Sequence, residues 1–533
     1  MAGLIAYGAY VPYHRLARAD LAAVLGTPPG KGTRAVAGYD EDTTSMAVEA
    51  ARGALWPVSE VAPAGRRPAR TLAAPGESPS TSSTRASARH AESTHRTPPG
   101  PPSGRTTPLP TQAIAPDGLR PRIGQLFLAT AAPAYLDKTN ATAVHAALGL
   151  DEHVLAADMA GSVRSGLGAL VTAARSTVPT LAVLSDLRTG LPGGSDESAG
   201  GDGAAAFVFG GHRDSTPVIA ELLAHDTVSD EILDRWRLPG SPTSRVWEER
   251  FAEEIYVDLA SKALGAALDR AGLDIAAVDH LIVSGLHARA CAAVRRKTGA
   301  RPEAVTADLT AAIGNPGTAQ PGLLLADVLD RARPGETIAL VVLGDGAGVI
   351  LLRTTDALPT HRSARPVAAQ IAAGSAPMPY ATYLSWRGLL DREPPRRPDP
   401  EPPYAPPAHR RNRWKYGFMA TRCEKCGTRH LPPDRVCTSC HSVDAMTEEP
   451  MADVRGTVAT FTVDRLAHTP SPPMLVVVVD YDGGGRFRCQ LTDATEADAV
   501  IGARVEMTFR RTVTAAGVHN YFWKARPVRT DED

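Results

Sequence analysis

The sequence predicts an α/β protein built from two similar halves, followed by a small cysteine-rich module and an all-β barrel. Three observations support this architecture. Strand-like and helix-like segments alternate through the first 355 residues, a short glycine-rich motif occurs twice, and four of the six cysteines stand close together late in the chain. At ~150 residues per domain, a length of 533 residues corresponds to roughly three or four structural units.

The alternation involves short β-branched runs and longer alanine-rich segments with apolar residues three and four positions apart. The strand-like runs are 126–130, 181–185, 281–284 and 338–343, and the helix-like segments are 43–55, 162–174, 247–271 and 319–332. Strands that alternate with helices in this way are typical of α/β layers with largely parallel sheets.

The repeated motif indicates an internal duplication within residues 1–355. GDGAAAFVF at 201–209 recurs as GDGAGVILL at 344–352, and an apolar strand precedes each copy. Glycines in such motifs allow tight turns and close backbone approach. Because both copies have the same strand context, we expect two related halves.

The composition excludes several classes of protein. A formal net charge of −1 provides no overall basic field, which argues against a nucleic-acid partner. The apolar run at 338–352 contains Asp345 and three glycines and is shorter than the ~20 residues of a membrane span. Because the first residues lack the basic and apolar regions of a secretory signal, we expect a cytoplasmic protein with no membrane partner.

Two segments interrupt the pattern. Residues 61–115 are rich in Ser, Pro and Gly, lack apolar periodicity and contain more Arg than acid, which predicts a disordered insertion. A basic tail for an acidic partner is the alternative. Around PPRRPDPEPP at 394–403, the composition predicts a stiff, extended Pro-rich linker, which we assign to 356–411.

Six short motifs are spread over residues 1–355, outside the insertion. They are GAYVP at 8–12, YDEDTTSMAVEAA at 39–51, ATAAP at 129–133, GDGAAA at 201–206, His287 after a strand, and GNPGTA at 314–319. This set resembles the thiolase superfamily, in particular its hydroxymethylglutaryl-CoA synthases and type III ketoacyl synthases. The resemblance implies a thiolase-like fold, a homodimer, a place in lipid metabolism and an acyl-CoA or acyl-carrier thioester as substrate.

The resemblance also implies a Cys-His-Asn active site, with the cysteine at a buried helix N-terminus that lowers its pKa. In the matching segment, ADMAGSVRSG at 157–166, Met159 takes the nucleophile position. A methionine sulfur has no ionisable proton and cannot carry a thioester. Cys291 follows His287 by four residues and is no natural substitute. His287 is expected to carry protons and Asn315 to donate to an oxyanion.

Other expected site residues follow from the same resemblance. The general acid/base glutamate of hydroxymethylglutaryl-CoA synthases corresponds to Ala131, so both the nucleophile and this carboxylate are absent. Ser162 stands near Met159, but a serine at a helix start is more often a cap than a nucleophile. Three consecutive basic residues after His287 would hold the CoA phosphates, or would form a solvated helix face: Arg295, Arg296 and Lys297.

The late cysteine cluster predicts a metal site. Two C-x-x-C pairs, separated by ten residues, supply four thiolates: Cys423, Cys426, Cys437 and Cys440. Four thiolates are typical of a structural Zn²⁺ ribbon, which we assign to 412–450, although the spacing also fits iron.

The final segment, 451–530, has a β pattern. Its strand-like runs are 457–463, 474–479, 486–491, 504–509 and 521–525. Five short strands with Gly-rich turns predict an OB-fold barrel. A zinc ribbon followed by such a barrel resembles the acyl-CoA-associated OB-fold proteins that partner thiolase-like enzymes. Nucleic-acid binding through Arg510, Arg511, Phe522 and Trp523 is the weaker alternative.

The sequence thus leads to three hypotheses about function. The first is an enzyme for carbon–carbon bond formation on an acyl-CoA thioester, similar to hydroxymethylglutaryl-CoA synthase but without its cysteine. The second is an aldolase or retro-aldolase that forms no acyl-enzyme. The third is a non-catalytic acyl-CoA-binding scaffold.

Overall fold

The protein is described by a computed structural model over residues 2–28, 30–55, 123–211, 217–247, 249–375, 378–393, 396 and 401–529. The predicted insertion at 61–115 lies outside these residues. No helix in the described part of the chain is long and apolar enough to cross a membrane.

The first module contains thirteen described strands and nine described α-helices. The strands are β1 (Ala2–Tyr10), β2 (His14–Ala17), β3 (Thr33–Val36), β4 (Gln125–Thr130), β5 (Leu155–Ala160), β6 (Thr180–Leu187), β7 (Asp202–Gly211), β8 (Ala220–Ser229), β9 (Arg235–Trp236), β10 (Arg245–Val246), β11 (His280–Ser284), β12 (Thr337–Leu343) and β13 (Gly346–Thr354). The helices are α1 (Arg18–Leu25), α2 (Thr43–Leu55), α3 (Ala141–Ala147), α4 (Arg164–Ala174), α5 (Ser195–Ala199), α6 (Glu249–Ala271), α7 (Ala288–Lys297), α8 (Thr310–Ile313) and α9 (Gln320–Arg331).

Nine of these strands form one sheet in the order β11-β12-β13-β8-β1-β7-β6-β4-β5. The two halves repeat one arrangement: β4 and β6 are parallel and β7 returns antiparallel, as β11 and β12 are parallel and β13 returns antiparallel. The duplication is therefore confirmed. The expectation of a largely parallel sheet is wrong, because the strand that follows each GDG turn reverses direction and the central pairs β1–β7 and β1–β8 are antiparallel.

Two buried helices, α2 and α9, pack against the sheet. Every residue of α2 except Gly53 is buried. The backbone of β1 approaches α2 closely at Gly8, where a Cβ would clash with the main-chain oxygen of Ala50. Because only glycine allows this approach, the GAYVP motif serves to pack the first strand on the helix.

The described part of the predicted linker is folded. It contains α10 (Val367–Ala372), α11 (Tyr380–Trp386) and α12 (Ala405–Arg410), followed by α13 (Asn412–Lys415). Tyr380 and Tyr383 are buried in one cluster with Leu16 and Leu21 of the first module. The expectation of an extended linker is therefore corrected for Val367–Ala372 and Tyr380–Trp386, where helices form and apolar side chains of the second anchor it to β2 and α1. Most of the Pro-rich stretch at 394–403, on which the prediction rests, lies outside the described residues.

The C-terminal part holds two small sheets. Strands β14 (Met419–Cys423), β15 (Arg429–His430) and β16 (Met446–Pro450) form the ribbon, in the order β15-β14-β16. The barrel strands are β17 (Gly456–Asp464), β18 (Met474–Tyr481), β19 (Arg486–Gln490), β20 (Arg504–Ala515) and β21 (Val518–Pro527), in the order β19-β18-β17-β20-β21. All five predicted strands are present.

Buried ion pairs join the barrel to the start of α2. Arg510 contacts Glu41 at 3.1 Å and Asp493 at 2.6 Å, and Lys524 contacts Asp40 at 2.8 Å. Arg510 is fully buried, and Trp523 is 1% exposed. These residues therefore fasten the barrel to the first module and are not available as a nucleic-acid surface.

Candidate functional site

Two adjoining cavities lie in the first module. The larger, of about 370 Å³, is called the basic cavity because four cationic residues line it, Arg18, Lys31, Arg188 and Arg295, against two acidic ones. The acidic residues are Asp196, which pairs with Arg188 at 3.4 Å, and Asp308. The smaller, of about 100 Å³, is called the histidine cavity and is lined by Ala131, Ser162, Val163, Asp234, Tyr256, His287 and Asp345, among others. Arg188 and Leu286 line both cavities, so the two cavities share these residues in their walls.

His287 occupies the turn between β11 and α7, where it is the N-cap of the helix. Its Nδ1 accepts a hydrogen bond from the backbone N–H of Ala290 at 3.0 Å. An acceptor Nδ1 carries no proton, so the neutral ring carries its proton on Nε2. His287 is therefore a hydrogen-bond donor in the histidine cavity.

Asn315 borders the basic cavity. Its side-chain amide donates to the carbonyl oxygen of Gly285 at 2.9 Å, and its Oδ1 accepts from the backbone N–H of Gly317 at 2.9 Å. These contacts hold the loop after β11 against the GNPGTA turn. The structure thus places His287 and Asn315 in neighbouring cavities.

Met159 lies inside strand β5, paired with Ala129, and lines neither cavity. Helix α4 begins at Arg164 with Val163 as its N-cap, and Ser162 and Val163 line the histidine cavity. Met159, predicted at the nucleophile position, therefore does not stand at a helix N-terminus, because the strand extends to Ala160. The residue that caps α4 and lines the histidine cavity together with His287 is Val163. Neither residue is a nucleophile.

The described lining of the histidine cavity includes no cysteine. Cys291 lines the basic cavity, where burial raises the pKa of its thiol to about 12. A thiol with this pKa remains protonated near neutral pH and is a poor nucleophile. Ala131 lines the histidine cavity as a plain methyl group, with its carbonyl oxygen bonded by the Arg237 side chain.

Two of the polar groups in the histidine cavity, Asp234 and Tyr256, were not predicted from the sequence. The Tyr256 hydroxyl donates to Asp234 Oδ2 at 3.2 Å. Asp345 stands in the second GDG turn with φ 45°, and its Oδ2 accepts from Ser162 Oγ at 3.1 Å. Of Asp234, Tyr256 and Asp345, only Asp345 stands in a sequence motif, since it belongs to the repeated GDG.

The surroundings of the histidine cavity also shift the pKa values of Asp234 and Tyr256. Burial raises the pKa of Asp234, and the Asp345 carboxylate adds to the rise, while Tyr256 and His287 oppose it. Burial likewise raises the pKa of Tyr256, so its phenol stays protonated. The cavity therefore combines a carboxyl group with a raised pKa, a protonated phenol and an imidazole donor.

Only one of the three predicted basic residues lines a cavity. Arg295 borders the basic cavity, donates to the carbonyl oxygen of Val283 at 3.0 Å and pairs with Asp308 at 3.2 Å. Arg296 and Lys297 are exposed at the end of α7 and line neither cavity.

Three buried polar atoms of residues that line the basic cavity have no hydrogen-bond partner among the described residues. They are Ser284 Oγ, Arg295 Nε and Gln320 Oε1, and the Ser284 and Gln320 residues are 3% and 2% exposed. Unsatisfied buried polar groups are costly, and a polar ligand in the cavity would satisfy them.

The four cysteines of the ribbon come together as predicted. Their sulfur atoms lie within 4.8 Å of one another, and the two closest pairs are Cys426–Cys437 at 3.4 Å and Cys423–Cys440 at 3.6 Å. Four thiolates with this spacing fit a tetrahedral Zn²⁺ with no open coordination position. The donor set therefore supports a structural zinc ion.

Three protein families match parts of the chain. Residues 268–352 match the C-terminal region of 3-oxoacyl-[acyl-carrier-protein] synthase III. Residues 415–444 match the rubredoxin-like zinc ribbon domain of ChsH2, and residues 448–510 match the C-terminal OB-fold domain of ChsH2. The ribbon and barrel matches agree with the modules predicted from the cysteine spacing and the β pattern.

Curated relatives match most of the first module. The hydroxymethylglutaryl-CoA synthase of Methanothermobacter thermautotrophicus is 25% identical over 406 residues, which is 73% of this chain and 99% of that protein. The enzyme of Aeropyrum pernix is 27% identical over 406 residues, or 73% of this chain and 95% of that protein.

Solved structures share the fold. An HMG-CoA synthase complexed with CoA has a TM-score of 0.52 at 17% identity, covering 72% of this chain and 89% of its own. MvaS in complex with 3-hydroxy-3-methylglutaryl coenzyme A has a TM-score of 0.53 at 19% identity, covering 75% and 94%. The curacin pathway HMG synthase in complex with apo donor-ACP has a TM-score of 0.53 at 16% identity, covering 73% and 89%.

Proposed function

We propose that this chain, a thiolase-like protein of the hydroxymethylglutaryl-CoA synthase-like condensation family joined to a ChsH2-type zinc ribbon and OB-fold, makes or breaks a carbon–carbon bond next to an acyl thioester. The reaction is of the aldol or retro-aldol type and forms no acyl-enzyme. One observation carries this proposal: the histidine cavity has Val163 where a nucleophile would stand at the start of α4, yet it keeps His287 as a donor.

The chemistry needs no covalent intermediate. In the cleavage direction, a β-hydroxyacyl thioester loses its hydroxyl proton to a base, and the hydroxyl carbon becomes a carbonyl. The bond between Cα and Cβ breaks, and its electron pair forms the enolate of the shorter thioester, which then takes a proton at Cα. The Nε2–H of His287 would stabilise the negative enolate oxygen by a hydrogen bond. The products are a ketone and an acyl thioester.

The basic cavity would hold the CoA or acyl-carrier arm of the thioester. Its volume of about 370 Å³ falls within the usual range of ligand pockets. Arg18, Lys31, Arg188 and Arg295 supply positive charge for phosphate groups. Leu286 lines both cavities, and an arm held in the basic cavity would have to pass this residue to bring its thioester to His287. Arg296 and Lys297 would contact only a phosphate group outside the cavity.

Partners follow from the same proposal. Strand β5 is an edge of the nine-stranded sheet and exposes Leu155, so a second copy could pair there to form the expected homodimer. The OB-fold contacts α2 of its own chain through Arg510 and Lys524. We therefore infer that the module bridges to a thiolase-like domain within the chain, and that a separate thiolase-type enzyme is not required for this contact.

The test is product analysis with a panel of β-hydroxyacyl-CoA esters. We expect the wild-type protein to release acetyl-CoA and a ketone from a tertiary ester such as 3-hydroxy-3-methylglutaryl-CoA, which would give acetoacetate. His287→Ala should lower kcat by about 100-fold, the low end of acid–base and donor effects. His409→Ala, at an exposed position on α12, is the matched control. If the wild-type protein neither cleaves nor condenses any ester, the proposed function is wrong.

A second function, a scaffold that binds acyl-CoA without turnover, is favoured by Ala131 and Val163, which leave the cavity without the two expected reactive groups. Calorimetric titration with acetyl-CoA separates the two. Binding without any product after long incubation would support the scaffold.

A further inference from the structure

We infer that Asp234 is the acid–base catalyst of the histidine cavity, exchanging the proton between the substrate hydroxyl and Cα. This inference rests on the proposed function and assigns the base that its chemistry requires. The family's general acid/base glutamate corresponds to Ala131, just after β4. Asp234 would take its role from a different segment of the chain, the connection between β8 and β9.

Asp234 is fixed in the cavity wall by the backbone and by a neighbouring helix. Its carbonyl oxygen accepts from the N–H of Trp247 at 2.8 Å, which closes the β9–β10 hairpin at its base. Its carboxylate accepts from the Tyr256 hydroxyl of α6 at 3.2 Å. Ala131, where the family's glutamate was expected, lines the same cavity, so Asp234 supplies a carboxyl group to the cavity that lacks this glutamate.

Charged and titratable groups from several elements surround Asp234, and Arg188 and Arg237 also line its cavity. Burial raises the pKa of its carboxyl group and Asp345 adds to the rise, whereas three other neighbours lower it: Tyr256 of α6, His287 before α7, and Arg235 of β9. The result is a raised pKa. A carboxyl group of this kind both accepts a proton and returns it in one turnover, as proton transfer in two directions requires.

Asp345 is less suited to the role. Its Oδ2 already accepts from Ser162 Oγ at 3.1 Å, and its backbone hydrogen-bonds the Tyr256 hydroxyl. Asp345 therefore orients Tyr256 and Ser162 and acts on Asp234 through its charge. It is a positioning residue.

The proton cycle closes on one residue. Asp234 takes the hydroxyl proton of the β-hydroxyacyl thioester as the Cα–Cβ bond breaks, while His287 donates a hydrogen bond to the enolate oxygen. The protonated Asp234 then returns the same proton to Cα. One β-hydroxyacyl thioester gives one ketone and one shorter acyl thioester, and no oxidant, reductant or water is consumed.

The experiment compares Asp234→Asn with Glu231→Gln, an exposed carboxylate three residues earlier. The probes are 3-hydroxy-3-methylglutaryl-CoA and 3-hydroxy-3-methyloctanoyl-CoA, whose ketone products are acetoacetate and 2-heptanone. Asp234→Asn should lower kcat by about 100-fold or more with KM unchanged, because the lost interaction belongs to the transition state. Glu231→Gln should keep the wild-type kcat, and thermal unfolding verifies that both variants fold.

The dependence of activity on pH distinguishes a catalytic from a structural role of Asp234, because a purely structural residue would not set the midpoint of the activity–pH curve. With Asp234 as the base, cleavage rises with pH as the carboxyl group loses its proton. Tyr256→Phe removes a hydrogen bond that lowers the pKa of Asp234, so the midpoint of this rise should move to higher pH. This variant also tests the inference if Asp234→Asn does not fold.

The results distinguish a wrong assignment of Asp234 from a wrong proposed function. A folded Asp234→Asn variant with wild-type kcat, or a Tyr256→Phe variant whose midpoint does not move, overturns the assignment of Asp234 while the wild-type activity leaves the proposed function standing. A wild-type protein that turns over no ester overturns both.

Discussion

The two GDG turns share a sequence and a place in the fold, but their aspartates have different surroundings. Asp202, in the first half, is fully buried; it accepts from the backbone N–H groups of Ala37 at 2.7 Å and Arg188 at 3.0 Å. It also pairs with Arg387 and, at 3.7 Å, with Arg34. Asp345, in the second half, is half-buried in the wall of the histidine cavity.

This difference separates structure from function within a duplicated fold. Each copy lies where an antiparallel strand starts, with Asp202 as the first residue of β7 and Asp345 just before β13. The left-handed backbone of a tight turn belongs to the second copy, at Asp345 (φ 45°) and Gly346 (φ 121°). Only the second turn opens onto a cavity that also holds His287 and Asp234. A repeated motif therefore identifies the fold, and the charges around each copy identify which one serves the site.

The largest loss of stability is expected for the zinc ribbon. Like Asp202, the ribbon is assigned a structural role and no part in the reaction. Cys437→Ser removes one thiolate and should abolish zinc binding, with a loss on the order of 10 kcal/mol of metal-linked folding energy in that module. Elemental analysis should find one zinc ion per wild-type chain and none in the variant, whereas Cys489→Ala in the barrel should retain it. Iron in the wild-type protein, or full zinc in Cys437→Ser, would contradict the assignment.

A direct test compares the two turns by the same substitution. Asp202→Asn leaves the buried Arg34 and Arg387 without their counter-charge and should cost about 3–5 kcal/mol of unfolding free energy. Asp345→Asn retains an acceptor for Ser162 and should cost about 1 kcal/mol or less. Urea denaturation measures both. Equal losses for the two variants would show that the turns do not differ as described.

The smallest effect concerns pH. Because the Asp345 carboxylate raises the pKa of Asp234, Asp345→Asn should shift the midpoint of cleavage activity to lower pH, opposite to the shift expected for Tyr256→Phe. The shift is measured from kcat/KM profiles against Glu231→Gln. A midpoint that rises or stays in place would mean that the two carboxylates do not interact.

The modules could be predicted because local patterns determine them. Alternating strands and helices, the repeated motif and the C-x-x-C spacing led to the duplicated fold, the ribbon and the barrel. The direction of the strands could not be predicted, because an apolar strand has the same residue pattern whether its neighbour is parallel or antiparallel. The linker at 356–411 was predicted from its composition, whereas Tyr380 and Tyr383 pack the described segment before the Pro-rich stretch onto the first module through tertiary contacts.

The site was predicted only in part for the same reason. His287 and Asn315 stand in motifs, but their placement in two cavities depends on how β11 and the GNPGTA turn pack. Met159 was assigned by alignment, four residues before the helix cap that the structure shows. Asp234 lies between short strands without periodicity, and it reaches His287 only because α6 and the β9–β10 hairpin enclose the cavity.

The central claim, carbon–carbon chemistry without an acyl-enzyme, is tested most directly by mass spectrometry of the intact protein during turnover of 3-hydroxy-3-methyloctanoyl-CoA. The account predicts that 2-heptanone and acetyl-CoA appear while the protein keeps its unmodified mass. An acetyl adduct that accumulates and decays with turnover, on Ser162 or any other residue, would contradict it.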